Sequence, residues 1–387
     1  MSEWTTIRLG SVVRTNTTSY SPKEGWKYVN YLDTGNITEN VIDAIHHIDL
    51  ENEKLPSRAK RKVQMNSILY STVRPNQKHF GIIKSMPKNF LVSTGFAVID
   101  VISEKADADY LYFWLTQNTV VEKLHAIAEQ SVSAYPSIKA SDIENLEIAL
   151  PPLTVQKSIA SILKSISDKM SHNSNINENL EQQAKALYQQ MFIENTSPDW
   201  IEGSLRDIAD ITMGQSPSGS SYNEDGIGAI FFQGRAEFSF RFPTIHLYTT
   251  EPKRMACAND ILMSVRAPVG DLNIAHTDCC IGRGLAAIHS KTNHQSFVLY
   301  TMFSLRKQLD VFNGEGTVFG SINRSSLNDM PILIPSDETI EEFERIVAPM
   351  DAAIRNNYDE ICRLQAIRDT LLPRLMSGEL DVSSIDL

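Results

Sequence analysis

A chain of 387 residues with 42 % hydrophobic and 21 % charged residues has the composition of a soluble globular protein with several domains. No apolar stretch approaches the roughly 18 residues of a transmembrane helix, and the N-terminus has no apolar signal core. The four cysteines lack CxxC or Cys/His spacing, which argues against zinc and favours a reducing cytoplasm. The net charge of −11 does not exclude nucleic acid, because residues 337–387 alone carry 5 basic and 12 acidic side chains.

Residues 1–152 are predicted to form a mixed α+β domain. The short apolar runs "ILYSTV" and "FAVIDV" lie among turn residues and predict strands, while "DYLYFWLTQNTVVEKLHAI" at 109–127 predicts helix. Lys54–Lys88 contains nine Lys and Arg residues and no Asp or Glu. Such a run is either a solvated basic face or a phosphate-binding surface.

Residues 153–196 are predicted to form a long spacer helix. From Thr154 to Phe192 there is no Pro or Gly, and apolar residues recur at intervals of three and four apart from one gap at "SHNSN". The members of this stripe are Ile159, Ile162, Ile166, Met170, Ile176, Leu180, Ala184, Leu187 and Met191. A helix with one apolar face must bury that face to be stable.

Residues 197–336 repeat the α+β pattern, and residues 337–387 are predicted to form a second spacer helix and a C-terminal tail. "DILMSV" and "LAAIHS" predict strands, and "QSFVLYTMFSLRKQLDVF" predicts helix. The second stripe comprises Ile340, Phe343, Val347, Met350, Ile354, Ile361, Leu364, Leu371 and Leu375. Pro349 is expected to kink or split this helix. The polar Asn357 and Arg368 fall on the stripe, where such residues can set the register of a helix pair.

The two halves are copies of each other. "SIKASDIENLEIALPPLTVQKSI" from Ser137 resembles "SINRSSLNDMPILIPSDETIEEF" from Ser321 at an offset of 184. "MNSILYSTVRP" and "VSTGFAVI" resemble "ANDILMSVRAP" and "IGRGLAAI" at offsets of 193 and 189, as differences in loop length would produce. Two copies are too few for a solenoid. We therefore predict two α+β domains separated by a long antiparallel helix pair, a coiled coil with a pseudo-twofold internal repeat.

The segment "LEIALPPLTVQKSIASILKSISDKM" is similar to the conserved segment that follows a target-recognition domain in type I restriction–modification specificity (S) subunits. "VNYLDTGNI" at 29–37 and "LLPRLMSGELDV" at 371–382 also fit that family, and the resemblance covers essentially the whole chain. The second copy departs from the pattern, because "IPSDETIEEF" lacks the second Pro and the Gln of "PPLTVQKSI". That departure puts the second helix junction in doubt.

The resemblance implies a specificity subunit that binds a bipartite target in double-stranded DNA, one half with each target-recognition domain. It implies assembly with two methyltransferase (M) subunits, and optionally with restriction/translocase (R) subunits, in the prokaryotic cytoplasm. It also implies that this chain holds no cofactor of its own, with S-adenosylmethionine, ATP and Mg²⁺ on the partner subunits.

The sequence also lacks the motifs expected of a catalytic subunit. "FNGEG" at 312–316 has the F-x-G-x-G form of a methyltransferase cofactor loop, but it follows a predicted helix rather than a first strand. There is no Asp/Asn-Pro-Pro-Tyr/Phe to hold a flipped adenine and no GxxxxGK[ST] phosphate loop. Pro198–Asp199 and Glu251–Lys253 are too far apart for a nuclease motif, and the histidines form no ligand pattern. The alternatives are the DNA-binding part of a self-sufficient restriction or methylation enzyme, and a coiled-coil scaffold without a role on DNA.

Candidate DNA-binding residues follow from the chemistry of the grooves. Arg suits guanine, Asn and Gln suit adenine, and Lys and Arg also bind phosphates. In the first domain we select Tyr31, Asp33, Thr34, Asn36, Lys60, Arg61, Lys62, Arg74 and Lys78. In the second we select Gln233, Arg235, Arg254 and Arg266. The alternative for each is a solvated loop or a structural hydrogen bond, and recurrence in both domains favours a structural role for Arg74 and Arg266.

Overall fold

The computed structural model describes residues 4–131, 135–314 and 320–382. Its order of elements confirms the predicted fold class, because an α+β segment and a long helix are followed by a second segment and a second long helix. The chain divides into two compact units. The first unit contains the described residues up to His172 and those from Glu360 onward, and the second contains the residues between them. Each unit therefore holds one α+β segment and part of both long helices.

The α+β segment of the first unit is called the first domain. Its strands are β1 (Thr5–Arg8), β2 (Val13–Thr15), β3 (Tyr28–Leu32), β4 (Ile37–Thr38), β5 (Val41–Ile42), β6 (His46–Asp49), β7 (Ala59–Arg61), β8 (Ile68–Ser71), β9 (Phe80–Ile82), β10 (Phe90–Ser93), β11 (Phe96–Val101) and β12 (Glu147–Leu150). Its helices are α1 (Ala108–Leu115), α2 (Asn118–Glu129) and α3 (Ala140–Glu144), and the long helix α4 (Leu153–Tyr188) follows.

The α+β segment of the second unit is called the second domain. Its strands are β13 (Ile201–Ser204), β14 (Ala209–Met213), β15 (Tyr222–Asn223), β16 (Ala229–Phe232), β17 (Tyr248–Thr249), β18 (Met255–Ala256), β19 (Ile261–Ser264), β20 (Leu272–Ile274), β21 (Cys279–Ile281), β22 (Leu285–Ser290) and β23 (Pro331–Ile334). Its helices are α5 (Leu205–Ile208), α6 (Gln295–Ser304), α7 (Arg306–Asp310) and α8 (Arg324–Asn328), and the long helix α9 (Asp337–Met376) follows. The predicted domain boundaries at 152, 196 and 336 stay predictions.

The first domain is built from two sheets. One has the antiparallel order β2–β11–β8–β9, and the other has the order β6–β3–β10–β7, in which β3 and β10 are parallel. The predicted strands "ILYSTV" and "FAVIDV" are β8 and β11. The predicted helix at 109–127 is two helices, because Gln117 has a ψ of 140° and breaks the helical path. Tyr110 and Leu111 of α1 and Leu124 of α2 are fully buried in the same cluster as Ile68 of β8.

The second domain repeats this plan. One sheet has the antiparallel order β14–β22–β19–β20, and the other has the order β15–β17–β16–β21–β18, in which β16 and β21 are parallel. The antiparallel ribbon of β1 with β12 has its counterpart in β13 with β23. The repeated "SIKASD" and "SINRSS" segments are held alike: Ile138 N–H donates to the Thr72 carbonyl at 2.8 Å, and Ile322 N–H donates to the Val265 carbonyl at 3.0 Å.

The long helices pair in antiparallel fashion inside each unit, as predicted. In the second unit the Tyr188 ring lies 5.8 Å from the Phe343 ring, while Asn177, three turns earlier in α4, contacts Asn357 later in α9. In the first unit Lys169 pairs with Glu360 at 3.3 Å. Residues from the start of α4 also share a core cluster with Leu375 and Met376 at the end of α9.

Helix α9 is continuous through Pro349, so of the two expected outcomes the split is wrong, and the kink stays a prediction. Pro349 and Arg345, whose carbonyl loses its helical donor, are both exposed. Water can therefore supply the missing hydrogen bond. Helix α4 begins at Leu153, and after Tyr188 it continues as a π-helical turn at Gln189–Glu194.

The polar gap in the first stripe is part of the helix interface. The predicted stripe member Ile176 is 46 % exposed, whereas Asn173 and Asn177 are each 1 % exposed, so the placement of Ile176 is wrong. The Asn177 amide donates to the Ile354 carbonyl at 3.3 Å, and its Oδ1 accepts from Asn357 at 2.8 Å. The register role predicted for Asn357 therefore has a partner in α4.

Arg368, the other polar residue predicted on the second stripe, bonds to the adjacent Asp369 at 2.8 Å. This bond lies within α9. Arg368 therefore pairs along its own helix in the described structure, and the register role rests on the asparagines.

The helix junctions differ between the repeats. In the first, Gln156 is 1 % exposed, and its Oε1 accepts from Asp107 N–H at 2.9 Å ahead of α1. In the second, Ile340 replaces this Gln, and Glu344 one turn later accepts from Phe297 N–H in α6 at 2.8 Å. The sequence departure at this junction is thus compensated by a different acceptor on the same helix.

A buried arginine fastens the second domain to both long helices. Arg241 is 5 % exposed and pairs with Glu181 of α4 at 3.1 Å, with Asp351 of α9, and with the Tyr300 hydroxyl at 3.1 Å. Burial alone would lower the pKa of Arg241, but Asp351, Tyr300 and Glu181 outweigh it and raise the pKa. The guanidinium therefore stays charged and bridges the two carboxylates.

At the end of α9, Gly378 has a φ of +76°, which favours glycine. A Cβ on this residue would lie 3.0 Å from the Trp4 ring. The following Val382 is 3 % exposed in the first-unit core. In the described part of the chain, no helix combines the length and the apolarity that crossing a membrane requires.

We expect Arg241→Met to destabilise the second unit by about 3–5 kcal/mol. It leaves the carboxylates of Glu181 and Asp351, whose side chains are only 12 % and 18 % exposed, without their counterion. Arg206→Met is the matched control, since Arg206 pairs with Asp329 at an exposed site and should cost no more than about 1 kcal/mol. Urea unfolding followed by circular dichroism measures both. Equal shifts of the midpoint would contradict the role given to Arg241.

Asn357→Ala should cost about 1–3 kcal/mol, because Asn177 Oδ1 is left buried without a donor. The double variant Asn177→Leu with Asn357→Leu should recover most of this loss, since both polar groups are gone. Ile176→Ala, on the exposed side of α4, is the control and should change stability by less than about 0.5 kcal/mol. Chemical unfolding of the original protein and the three variants would refute the pairing if the double variant were destabilised as much as Asn357→Ala.

Candidate nucleic-acid interface

The parallel strand pair of each domain brings two turns to one edge of a sheet, since parallel strands end on the same side. In the first domain these turns follow β3 and β10, and in the second they follow β16 and β21. A third segment, after β8 or β19, joins them. The segments 33–36, 72–74 and 93–95 are called the loop edge of the first domain, and 233–235, 265–267 and 282–284 the loop edge of the second.

Backbone hydrogen bonds hold each loop edge together in the same way. Thr72 N–H donates to the Gly95 carbonyl at 2.8 Å, and Val265 N–H donates to the Gly284 carbonyl at 2.9 Å. Isolated bridges join Val73 to Ser137 and Arg266 to Ser321. The structural counterpart of Arg266 is thus Val73 rather than Arg74. The recurrence that favoured a structural role for both arginines does not hold.

Four of the predicted first-domain residues lie at or beside its loop edge. Asp33 accepts from the Thr34 N–H at 2.8 Å and from the hydroxyl of the buried Tyr31 at 3.0 Å. Burial acts to raise the pKa of the Asp33 carboxyl, but these hydrogen bonds outweigh it and lower the pKa. Asn36 Oδ1 accepts from His46 Nε2–H at 3.1 Å. The buried Tyr31 therefore holds the turn through its hydroxyl bond to Asp33, and the Asp33 carboxyl is ionised at neutral pH.

Arg74 also lies at this edge. Its φ is +47°, and its backbone N–H donates to the Pro136 carbonyl at 3.0 Å. Its side chain is exposed, with the guanidinium 5.3 Å from the centre of the Tyr135 ring. Lys78, after a further short turn, pairs with Glu39 at 2.8 Å with side chains 37 % and 54 % exposed. Arg74 presents a stacked cation, whereas Lys78 already has a counterion.

The basic run on β7 divides into three environments. Lys60 is exposed. Arg61 turns inward and donates to Asn16 Oδ1 and to the Phe96 carbonyl. Lys62 pairs with Glu24 at 2.5 Å and lies 5.1 Å from the Trp26 ring. Arg61 thus has a structural role, and we do not carry it into the proposed interface.

In the second domain, Gln233 and Arg266 are exposed on the loop edge. Arg235 is on the same edge, but it pairs with Asp271 at 2.7 Å. Arg254 is exposed beside β21, and its carbonyl accepts from Ile281 N–H at 2.9 Å. Arg254 is the repeat counterpart of the inward Arg61, so the same position has different surroundings in the two domains.

The structure adds three residues that the sequence analysis missed. Thr94 and Arg283 occupy equivalent positions, in the turns after β10 and β21 respectively. Arg58 is exposed beside the first of these turns, where its carbonyl accepts from Thr94 N–H at 2.8 Å. The signal was present in the alignment of "VSTGFAVI" with "IGRGLAAI", because Thr and Arg differ inside an otherwise similar frame.

The other chemical candidates remain without a site. Phe312 and Asn313 of "FNGEG" lie within a short 3-10 turn, Val311–Asn313, that follows α7, and Glu315 and Gly316 lie outside the described residues. His46 and His47 bond to Asn36 and Asn30 respectively, each at 3.1 Å. Within residues 4–131, 135–314 and 320–382, no group of three His, Cys, Asp or Glu residues is placed to hold a metal ion.

We expect Lys60→Ala and Arg61→Ala to act differently although the residues are neighbours. Arg61→Ala should destabilise the first domain by about 1.5–3 kcal/mol through lost charged hydrogen bonds. Lys60→Ala should leave stability unchanged and reduce the slope of log affinity for DNA against log salt by about 0.9, if Lys60 neutralises one phosphate. Thermal unfolding and salt titration of DNA binding separate the two. The two roles would be reversed if Arg61→Ala left stability unchanged and reduced the salt slope of DNA binding more than Lys60→Ala did.

Known proteins resemble this chain over nearly its whole length. The model of the type I restriction modification DNA specificity domain matches residues 1–182 and 198–361. A Methanocaldococcus jannaschii protein named as the specificity subunit of the type I restriction enzyme MjaX is 29 % identical, over 96 % of this chain and 92 % of its own. The HindI specificity subunit of Haemophilus influenzae is 24 % identical, over 98 % and 100 %. The crystal structure of an S subunit from M. genitalium shares the fold, with a TM-score of 0.61 at 15 % identity over 97 % and 96 %.

Proposed function

Because the chain belongs to the type I restriction–modification DNA specificity family, we propose that it gives such an enzyme its DNA sequence specificity. It binds a bipartite target in double-stranded DNA and reads one half with each domain. The observation that supports this most directly is the loop edge, which has the same backbone frame but different side chains in the two domains. Two readers of one design with different chemistry require two different half-sites.

Reading a base requires side chains that reach its edge with free donors or acceptors. In the second domain the exposed Gln233 and Arg266 have this character, with amide and guanidinium groups suited to adenine and guanine. In the first domain the corresponding places hold Asp33 and Val73, and Arg74 supplies the exposed guanidinium. The half-sites therefore differ in sequence.

Phosphate contacts supply much of the affinity for DNA, and base contacts supply the sequence specificity. Lys60 and Arg58 in the first domain, and Lys253 and Arg254 in the second, are exposed cations near the loop edges. Four other candidates are expected to contribute less to DNA binding, because each already bonds to a neighbour within the chain. They are Asn36, Lys62, Lys78 and Arg235. DNA would have to compete with those bonds.

The partners follow from the family. We propose that two methyltransferase subunits bind this chain and that restriction/translocase subunits join them in the prokaryotic cytoplasm. S-adenosylmethionine, ATP and Mg²⁺ act on those subunits, and this chain directs them to the target without chemistry of its own. Methyl transfer to DNA by the purified chain alone would instead favour a self-sufficient enzyme.

Exchange of the first domain for that of a relative tests the proposal. Since each domain reads its own half-site, we expect the methylated sequence to change in one half and to keep the other half. The measurement is the adenine-methylation motif of host DNA, read with the original and the exchanged protein, with a host that lacks the gene as control. A change in both halves would contradict independent reading, and the absence of any bipartite motif would contradict the function.

A further inference from the structure

Arg283 lies in the turn between β21 and β22, with a glycine on each side. Gly282 N–H donates to the Phe232 carbonyl at 2.8 Å, and Arg283 N–H donates to Ser216 Oγ at 3.2 Å. The Gly284 carbonyl accepts from Val265 N–H at 2.9 Å. Backbone bonds to three other segments therefore fix the position of Arg283 Cα.

Both glycines are required by close approach rather than by unusual dihedral angles. A Cβ on Gly282 or on Gly284 would come within 2.9 Å of the Gln233 carbonyl oxygen. The turn is thus pressed directly onto the segment that carries Gln233. The side chains of Arg283 and Gln233 emerge from one rigid patch of backbone, as a reader of adjacent base pairs requires.

The Arg283 side chain is exposed, and it has no ion-pair or hydrogen-bond partner within the part of the chain that the structure describes. Two other arginines in this region are different. Arg235 and Arg306 both pair with Asp271, at 2.7 and 2.6 Å. Their guanidinium groups would have to give up a carboxylate before binding anything else, whereas that of Arg283 would not.

The first domain has Thr94 at the equivalent position. One bond of its turn recurs, because the Gly95 carbonyl accepts from Thr72 N–H at 2.8 Å. Thr94 N–H donates to the Arg58 carbonyl at 2.8 Å, where Arg283 N–H donates to a serine side chain. A Cβ on Gly95 would come within 2.8 Å of Thr34 Cγ2. The frame is therefore shared, and the side chain it presents changes from a hydroxyl to a guanidinium.

We infer that Arg283 is a specificity-determining residue that reads a guanine in the half-site of the second domain. Two guanidinium N–H groups can donate to O6 and N7 of one guanine and form a bidentate contact. Arg283 suits this contact because its backbone is fixed and its guanidinium has no partner in the described chain. Thr94 lacks the paired donors, so the first domain makes no such contact from this turn. This inference rests on the proposed function and assigns one position of the target to one residue.

The test uses the assembled methyltransferase containing this chain, with Arg283→Ala, Arg283→Lys and the control Arg345→Ala. Arg345 is an exposed arginine of α9, away from the loop edges. Motif mapping on genomic DNA and binding to oligonucleotides with each base at each position are the readouts. We expect Arg283→Ala to relax one guanine of one half-site, with discrimination there falling roughly 10- to 100-fold.

Arg283→Lys separates base reading from phosphate binding, because it keeps the charge and loses the paired donors. It should retain the salt dependence of the original protein and still relax the same position. The control should leave every position of the motif unchanged. An intact motif in Arg283→Ala, or an equal loss of affinity for all sequences with a smaller salt slope, would overturn the inference. If the unaltered enzyme methylates no bipartite sequence, the proposed function fails instead.

Discussion

Neither long helix can exist in water without the other, and this requirement organises the molecule. Each carries a stripe that must be buried, and in both units the stripe of α4 meets that of α9. The stripe contains polar groups, which is tolerable because Asn177 and Asn357 satisfy each other. The α+β domains are then fastened to helices that are already paired, through Gln156 in one unit and through Arg241 and Glu344 in the other.

Recognition depends on what the two halves do not share. The ribbons, the parallel strand pairs and the bonds between the turns recur, and these hold the loop edges in place. Asp33 and Thr94 are replaced by Gln233 and Arg283 at equivalent places. Backbone hydrogen bonds, such as those of Thr72 with Gly95 and of Val265 with Gly284, hold the shared scaffold. An exposed side chain such as that of Arg283 can therefore change without the loss of a structural hydrogen bond.

The repeat, the strand runs and the helical stripes could be predicted because they are periodic along the chain. Residue roles at the site could not, because they depend on groups distant in sequence. Nothing near Arg61 indicates that Asn16 and the Phe96 carbonyl come to lie beneath it. The apolar pattern misplaces Ile176 because it omits the asparagines that belong to the interface. The sequence also does not show that Pro349 faces water, where a helix can continue past it.

The offset between the copies records where length could change after duplication. It falls from 196 at Trp4 and Trp200 to 184 at Ser137 and Ser321, so the two domains differ in the lengths of their loops. From there it stays at 184 through the first residues of α4 and α9 to Asn173 and Asn357. An insertion in a paired helix rotates every later side chain out of the interface, whereas an insertion in a loop moves nothing that is packed. Surviving insertions and deletions are therefore confined to the readers.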